Sequence, residues 1–122
     1  MNKTLGIIGG LGPEAGINFT AKLSQTGISK FILYSDDRCN LILDKGSNKL
    51  VFFYLEEACK KLYQCGCTDI VICCNTAHTH IINLKIKFNE LYFHSFADIL
   101  YHQVFQYTKD GEVAIASTVD SF

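Results

Sequence analysis

An excess of either charge is what this chain most plainly lacks: 11 basic residues stand against 12 acidic ones. That balance leaves no electrostatic footprint for nucleic acid. Long hydrophobic runs are missing too, since no window reaches the ~18 apolar residues of a membrane span. The run "LGIIGGLG" is broken by glycine and followed by Pro13 and Glu14 without a small-residue cleavage site, unlike a secretion signal. Nucleic acid and membrane are therefore not expected partners, and a cytoplasmic location is the expectation. Repeats, low-complexity tracts and linker-like stretches are absent as well. The 122 residues read as one domain, able to bury roughly two thirds of its unfolded surface.

Cysteine is not scarce. Six in 122 residues is a high count, but no secretion signal accompanies them and two are neighbours. Reduced thiols are expected, not a disulfide framework. Cys39 and Cys59 read as structural thiols.

Strand and helix signals alternate along the chain. "TLGIIG" is a short apolar run ending in glycines, which suits a strand buried on both faces. The chain's one proline, Pro13, stands where a first helical residue would, because its missing N–H is not needed there. The helix should run to about residue 25, with Gly27 as its stop. "KFILYS" reads as a second strand. From Leu50 the pattern is helical: Val51, Leu55, Ala58, Cys59 and Leu62 share one stripe, and Glu56–Lys60 and Glu57–Lys61 are spaced to pair outside it. Gly66 is a plausible end. "DIVICC" is a third strand, residues 79–88 a helix, and "LYFHSF" a weaker fourth strand. Residues 97–107 read as another helix and "EVAIAS" as a fifth strand.

This rhythm of continuous apolar strands and helices predicts an α/β fold. It would have three layers, a mostly parallel sheet of four or five strands flanked by helices, and strand order 2-1-3-4. Ligands of such sheets bind outside the carboxyl ends of the strands. Two conspicuous loops leave from those ends: "GGLGPEAG" after the first strand and "CNTAH" after the third.

The first loop contains Gly10, Gly12 and Ala15 in a G-x-G-x-x-A arrangement, and Asp36 and Asp37 follow near the dinucleotide-binding distance. Against that reading, Pro13 removes an amide from the helix start and Glu14 adds negative charge there. The Lys-Ser/Thr ending of a phosphate-binding P-loop is missing. A tight turn letting a small anionic substrate approach the backbone at Gly10 and Gly12 fits better, and no nucleotide cofactor is expected.

The second loop raises three alternatives: an active thiol, a metal site, or packing alone. Side chains alternate across a sheet, so Cys73 and Cys74 should face opposite ways. Cys74 should reach the carboxyl edge just before a helix, whose positive end would favour the thiolate. Asn75 and Thr76 would offer an amide, a hydroxyl and backbone N–H groups to a carboxylate. A metal would have to draw on Cys65, Cys67, Cys73, Cys74, His78 and His80, but the paired C-x2-C motifs of structural zinc are absent. Cys65 and Cys67 should also lie at the opposite edge of the strand. No metal is expected, and bonded or surface histidines are the reading for His78, His80, His94 and His102.

"LGIIGGLGPEAGINF" followed by "ACKKLYQCGCTDIVICCNTAH" resembles the aspartate/glutamate racemase family, whose hallmarks are a G-G-M-G-P-x-A-T loop and a C-N-T-A-H or C-N-T-M-H loop. "SDDR" at residues 35–38 is similar to that family's I-P-D-R segment. The resemblance implies a cofactor-independent amino-acid racemase acting on aspartate or glutamate. In this family two cysteines face each other across the substrate, one removing the α-proton as thiolate and the other returning a proton. Cys74 would be the first of them. Asn75, Thr76 and Ala77 would hold the substrate carboxylate, Arg38 would pair with a second carboxylate, and Asp37 would orient that arginine. The pattern departs at Gly16, where the family has threonine, and in the short segment between Ser24 and Phe31.

The same resemblance implies that the chain matches the first half of a family member. Residues 1–110 would form the racemase-like domain and residues 111–122 the first strand of a truncated second domain. The family's second cysteine, in a G-C-T-E motif far downstream, has no counterpart here. "GCTD" at 66–69 precedes a strand and cannot serve. The expectation is an isomerase whose activity is in question. The alternative is a non-catalytic domain that binds a small carboxylate. An uncovered inter-domain face would favour self-association, for example as a homodimer.

Overall fold

The computed structural model describes residues 3–9, 13–27, 30–36, 48–74 and 76–95. The predicted helix at 97–107, the fifth strand and the proposed boundary at residue 110 lie outside them. Four strands make one parallel sheet: β1 (Leu5–Ile8), β2 (Phe31–Tyr34), β3 (Asp69–Ile72) and β4 (Tyr92–His94), in the order β2-β1-β3-β4. The central pair is in register at Leu5–Asp69, Gly6–Ile70, Ile7–Val71 and Ile8–Ile72. The expected α/β class and strand order are thus observed.

Helices cover both faces. On one side lie α2 (Asn48–Gln64) and α3 (Ile81–Lys87), and on the other α1 (Pro13–Gln25). The period of two along the strands sorts the core. Ile8, Ile70, Ile72 and Phe93 pack with Val51, Leu55, Ala58, Cys59, Leu62, Ile81 and Leu84. Ile7, Val71 and Cys73 form the smaller core, with Leu5, Phe19, Leu23, Phe31 and Leu33 around it. The predicted stripe of α2 is entirely buried, and Tyr54 joins it.

The helix ends follow local chemistry. Gly66, at φ +92°, ends α2 in a left-handed turn. There the Cys67 N–H bonds the Leu62 carbonyl at 3.0 Å and the Gly66 N–H bonds that of Tyr63 at 3.0 Å. These two bonds satisfy carbonyls that the helix end would orphan. Gly6 answers a different demand. A Cβ there would stand 2.9 Å from Ile70 Cδ1 and 3.1 Å from Cys67 Sγ, so α2 can settle on β1 only because the side chain is absent.

Two expectations are corrected. Glu57 does pair with Lys61 at 3.2 Å, but Glu56 reaches across to Lys87 of α3 at 2.6 Å instead of to Lys60. The helix expected over 79–88 is a 3₁₀ turn at Thr76–His80 followed by the seven-residue α3.

Candidate functional site

The carboxyl edge of the sheet gathers the ends of β1, β2 and β3. At β1, the Gly9 N–H donates to the Tyr34 carbonyl of β2 at 2.8 Å. Gly9 is also where α1 comes closest: a Cβ on Gly16 would lie 3.3 Å from Gly9 Cα. The Tyr54 hydroxyl rises from α2 beneath this edge, donating to the Gly9 carbonyl at 3.1 Å and lying 3.4 Å from the Asp36 carbonyl. One buried phenol therefore ties together the chain leaving β1 and the chain leaving β2. Its helical spacing from Val51 and Ala58 placed it on the buried stripe. Its hydroxyl partners could not be read without the fold.

Beyond β3, the Cys73 N–H continues the ladder to the Ile8 carbonyl at 3.0 Å. The two thiols then part as the strand period requires. Cys73 is buried in the α1-side core. Desolvation pushes its thiol up to about 11, with the neighbouring Cys74 adding to the effect. It is a neutral packing group at physiological pH. Cys74 packs partly against the α2-side core and stays half-exposed. It is neither sealed in hydrocarbon nor free in solvent.

The loop then turns back. Ala77 is fully buried in the α2-side core, so its methyl packs inward and any contact with a ligand would fall to its backbone. Thr76 opens the 3₁₀ turn. The His78 Nε2 lies 2.8 Å from the Ile72 carbonyl, and desolvation holds the ring below its ordinary pKa while that carbonyl works against the shift. His80 packs on Phe52 with ring centroids 5.7 Å apart, and burial lowers its pKa too. Asn75, Arg38, Asp37, Gly10, Gly12, Cys39 and His102 lie outside the described residues.

The helix-end stabilisation expected for Cys74 has a different source from the one foreseen. Directly after the loop come the single 3₁₀ turn and a helix of 7 residues, too short for the macrodipole of a long helix.

At the amino edge, the Thr68 hydroxyl donates to Asp69 at 2.6 Å, and Asp69 meets His94 Nε2 at 2.9 Å. Burial works to raise the Asp69 carboxyl, but Thr68 and His94 more than offset it and hold the group below its usual range. Cys65 is exposed and Cys67 buried at this same edge, apart from Cys74. Among the described residues, no three His, Cys, Asp or Glu side chains converge as metal ligands, and no helix is long and apolar enough to cross a membrane. A cavity of about 390 Å³ runs along β4, lined by Lys85, Asn89, Tyr92, His94 and Ser95 among others, with no residue of the Cys74 loop.

No family model and no curated protein matches the chain. A solved structure does. It is the Picrophilus torridus aspartate racemase, 27% identical in sequence, with a TM-score of 0.60 over 98% of this chain and 83% of that one. The chain is thus racemase-like in fold. The similarity spans the glycine turn, the parallel sheet and the Cys74 loop alike.

Proposed function

We propose that the chain belongs to the aspartate/glutamate racemases and acts as a cofactor-independent isomerase on a small acidic amino acid. The observation that supports this most is Cys74, a half-exposed thiol at the carboxyl end of a central parallel strand, in a chain similar to an aspartate racemase. Cys74, as thiolate, would take the α-proton. The backbone and polar groups of Asn75, Thr76 and Ala77 would hold the α-carboxylate. Arg38, oriented by Asp37, would pair with the side-chain carboxylate, and the turn at Gly10 and Gly12 would let the substrate approach the main chain.

Racemisation needs an acid and a base on opposite faces, because one group alone returns the proton to the side it left. Among the described thiols, Cys59 and Cys67 are core residues, Cys73 belongs to the other face, and Cys65 lies at the amino edge. This distribution favours a second reading, a domain that binds a small carboxylate and at most exchanges its α-proton.

Deuterium wash-in at the α-carbon of aspartate and glutamate, with chiral analysis of the product, separates the readings. Exchange that depends on Cys74 and inverts the centre supports a racemase. Exchange without inversion supports a half-site. No exchange above buffer removes the enzyme altogether.

A further inference from the structure

Peptide groups of a strand alternate between its two neighbours. The Cys73 N–H points to Ile8 on β1, so the carbonyl of the same peptide, that of Ile72, points to the β4 side. The register of β3 with β4 is described as far as Val71–His94, and Ile72 lies one step beyond. Its carbonyl accepts from the His78 ring at 2.8 Å. A carbonyl oxygen can only accept, so Nε2 carries the hydrogen. The 3₁₀ turn that holds His78 runs for 5 residues, longer than the three or four that such turns usually sustain, and therefore needs support from outside itself.

We propose that His78 is a positioning residue for Cys74: by bonding back to the Ile72 carbonyl it closes the intervening loop and sets where the sulfur stands at the sheet edge. This rests on the reading of Cys74 as the reactive thiol. Three anchors hold the loop: the Cys73 N–H on Ile8, the Ala77 methyl in the core, and the His78 ring on Ile72. Cys74 sits between the first two. The third keeps the turn from unwinding and carrying Asn75 and Thr76 away from the sulfur. Burial disfavours the charged ring, so the bond is made by a neutral imidazole of one tautomer. The ring never has to touch substrate to do this.

The test uses the full chain with His78→Gln and His78→Asn. Glutamine carries an amide N–H at the reach of Nε2, whereas asparagine carries one only at the reach of Nδ1. Site-resolved alkylation of Cys74 by iodoacetamide and α-proton exchange are followed together. His78→Gln should stay near wild type in both. His78→Asn should raise Cys74 alkylation several-fold and lower exchange by up to about a hundredfold, the scale of an ångström's misplacement. Equal Cys74 alkylation in all three proteins overturns the proposal, as does a glutamine variant as damaged as the asparagine one. Should the asparagine variant not fold, ¹⁵N NMR of the wild-type ring decides: an Nε2–H tautomer upholds the bond and an Nδ1–H tautomer overturns it. A wild-type chain with no exchange would defeat the proposed function, while the alkylation arm and the tautomer would still judge the positioning.

Discussion

The two ends of β3 carry similar letters, "GCTD" before it and "CNTAH" after it, and become opposite environments. Before the strand every group is consumed internally. Gly66 completes the helix cap, Cys67 is packed against Leu62 and beneath Gly6, and Thr68 bonds Thr4 and Asp69. After the strand the chain leaves a parallel sheet at the edge where neighbouring loops diverge, and there a thiol stays half-exposed. Strand polarity, more than residue type, separates a packing cysteine from a candidate nucleophile.

The hardest test of that contrast is a pair of serine substitutions. Cys74→Ser should cut α-proton exchange by about 10²–10⁴-fold, the usual share of a positioned acid or base. Cys67→Ser should leave exchange per folded molecule unchanged and lower only the urea midpoint. Equal losses of exchange in both variants would erase the distinction between the two ends.

Thiol chemistry offers the next contrast. Burial disfavours the thiolate, so Cys73 and Cys59 remain protonated until pH nears about 11 and about 12 respectively. Site-resolved alkylation at pH 8 should label exposed Cys65 and half-exposed Cys74 well ahead of both. Labelling of Cys73 as fast as Cys74 would mean that the two neighbours do not lie on opposite faces of the sheet.

Two glycines at the closed end fail for different reasons. Gly6→Ala should cost about 1–3 kcal/mol, as overpacking usually does, because α2 has nowhere to retreat. Gly66→Ala meets nothing within 4 Å but must hold φ +92°, a left-handed strain of roughly 1–2 kcal/mol. Adding Leu62→Val to relieve crowding should soften the first loss in urea melts and leave the second untouched.

The smallest effect is a pH dependence. Asp69 is held below its ordinary range in the folded chain, so its contribution is present above the unfolded carboxyl value of about 4. It is lost as pH falls through the lower folded value. His78 and His80 are also depressed. Their neutral forms favour folding above the unfolded histidine value of about 6.5, and that share fades as acid charges the unfolded chain first. Urea midpoints at pH 8, 6, 5 and 3 should therefore fall in two stages, and Asp69→Asn should remove the lower one.

Much of this was legible in the residues. The run Val51, Leu55, Ala58, Cys59, Leu62 marked the buried face of α2, Pro13 and Gly27 bracketed α1, and the apolar strands implied a covered parallel sheet. Other parts were not. The Glu56 partner looked local at i+4, yet Lys87 of another helix took it. The helix after Cys74 began later than its pattern suggested, because His78 uses its ring to hold a tighter turn first.

By itself the sequence determined the local conformations and the faces on which side chains lie, since backbone sterics and the helix and strand periods act within a few residues. Only the tertiary structure decided which face each thiol would meet, that Tyr54 would tie Gly9 to Asp36, and that Asp69 would find His94. Those contacts join residues 18 to 45 positions apart. They exist only once the whole sheet has buried enough apolar surface to hold their elements together.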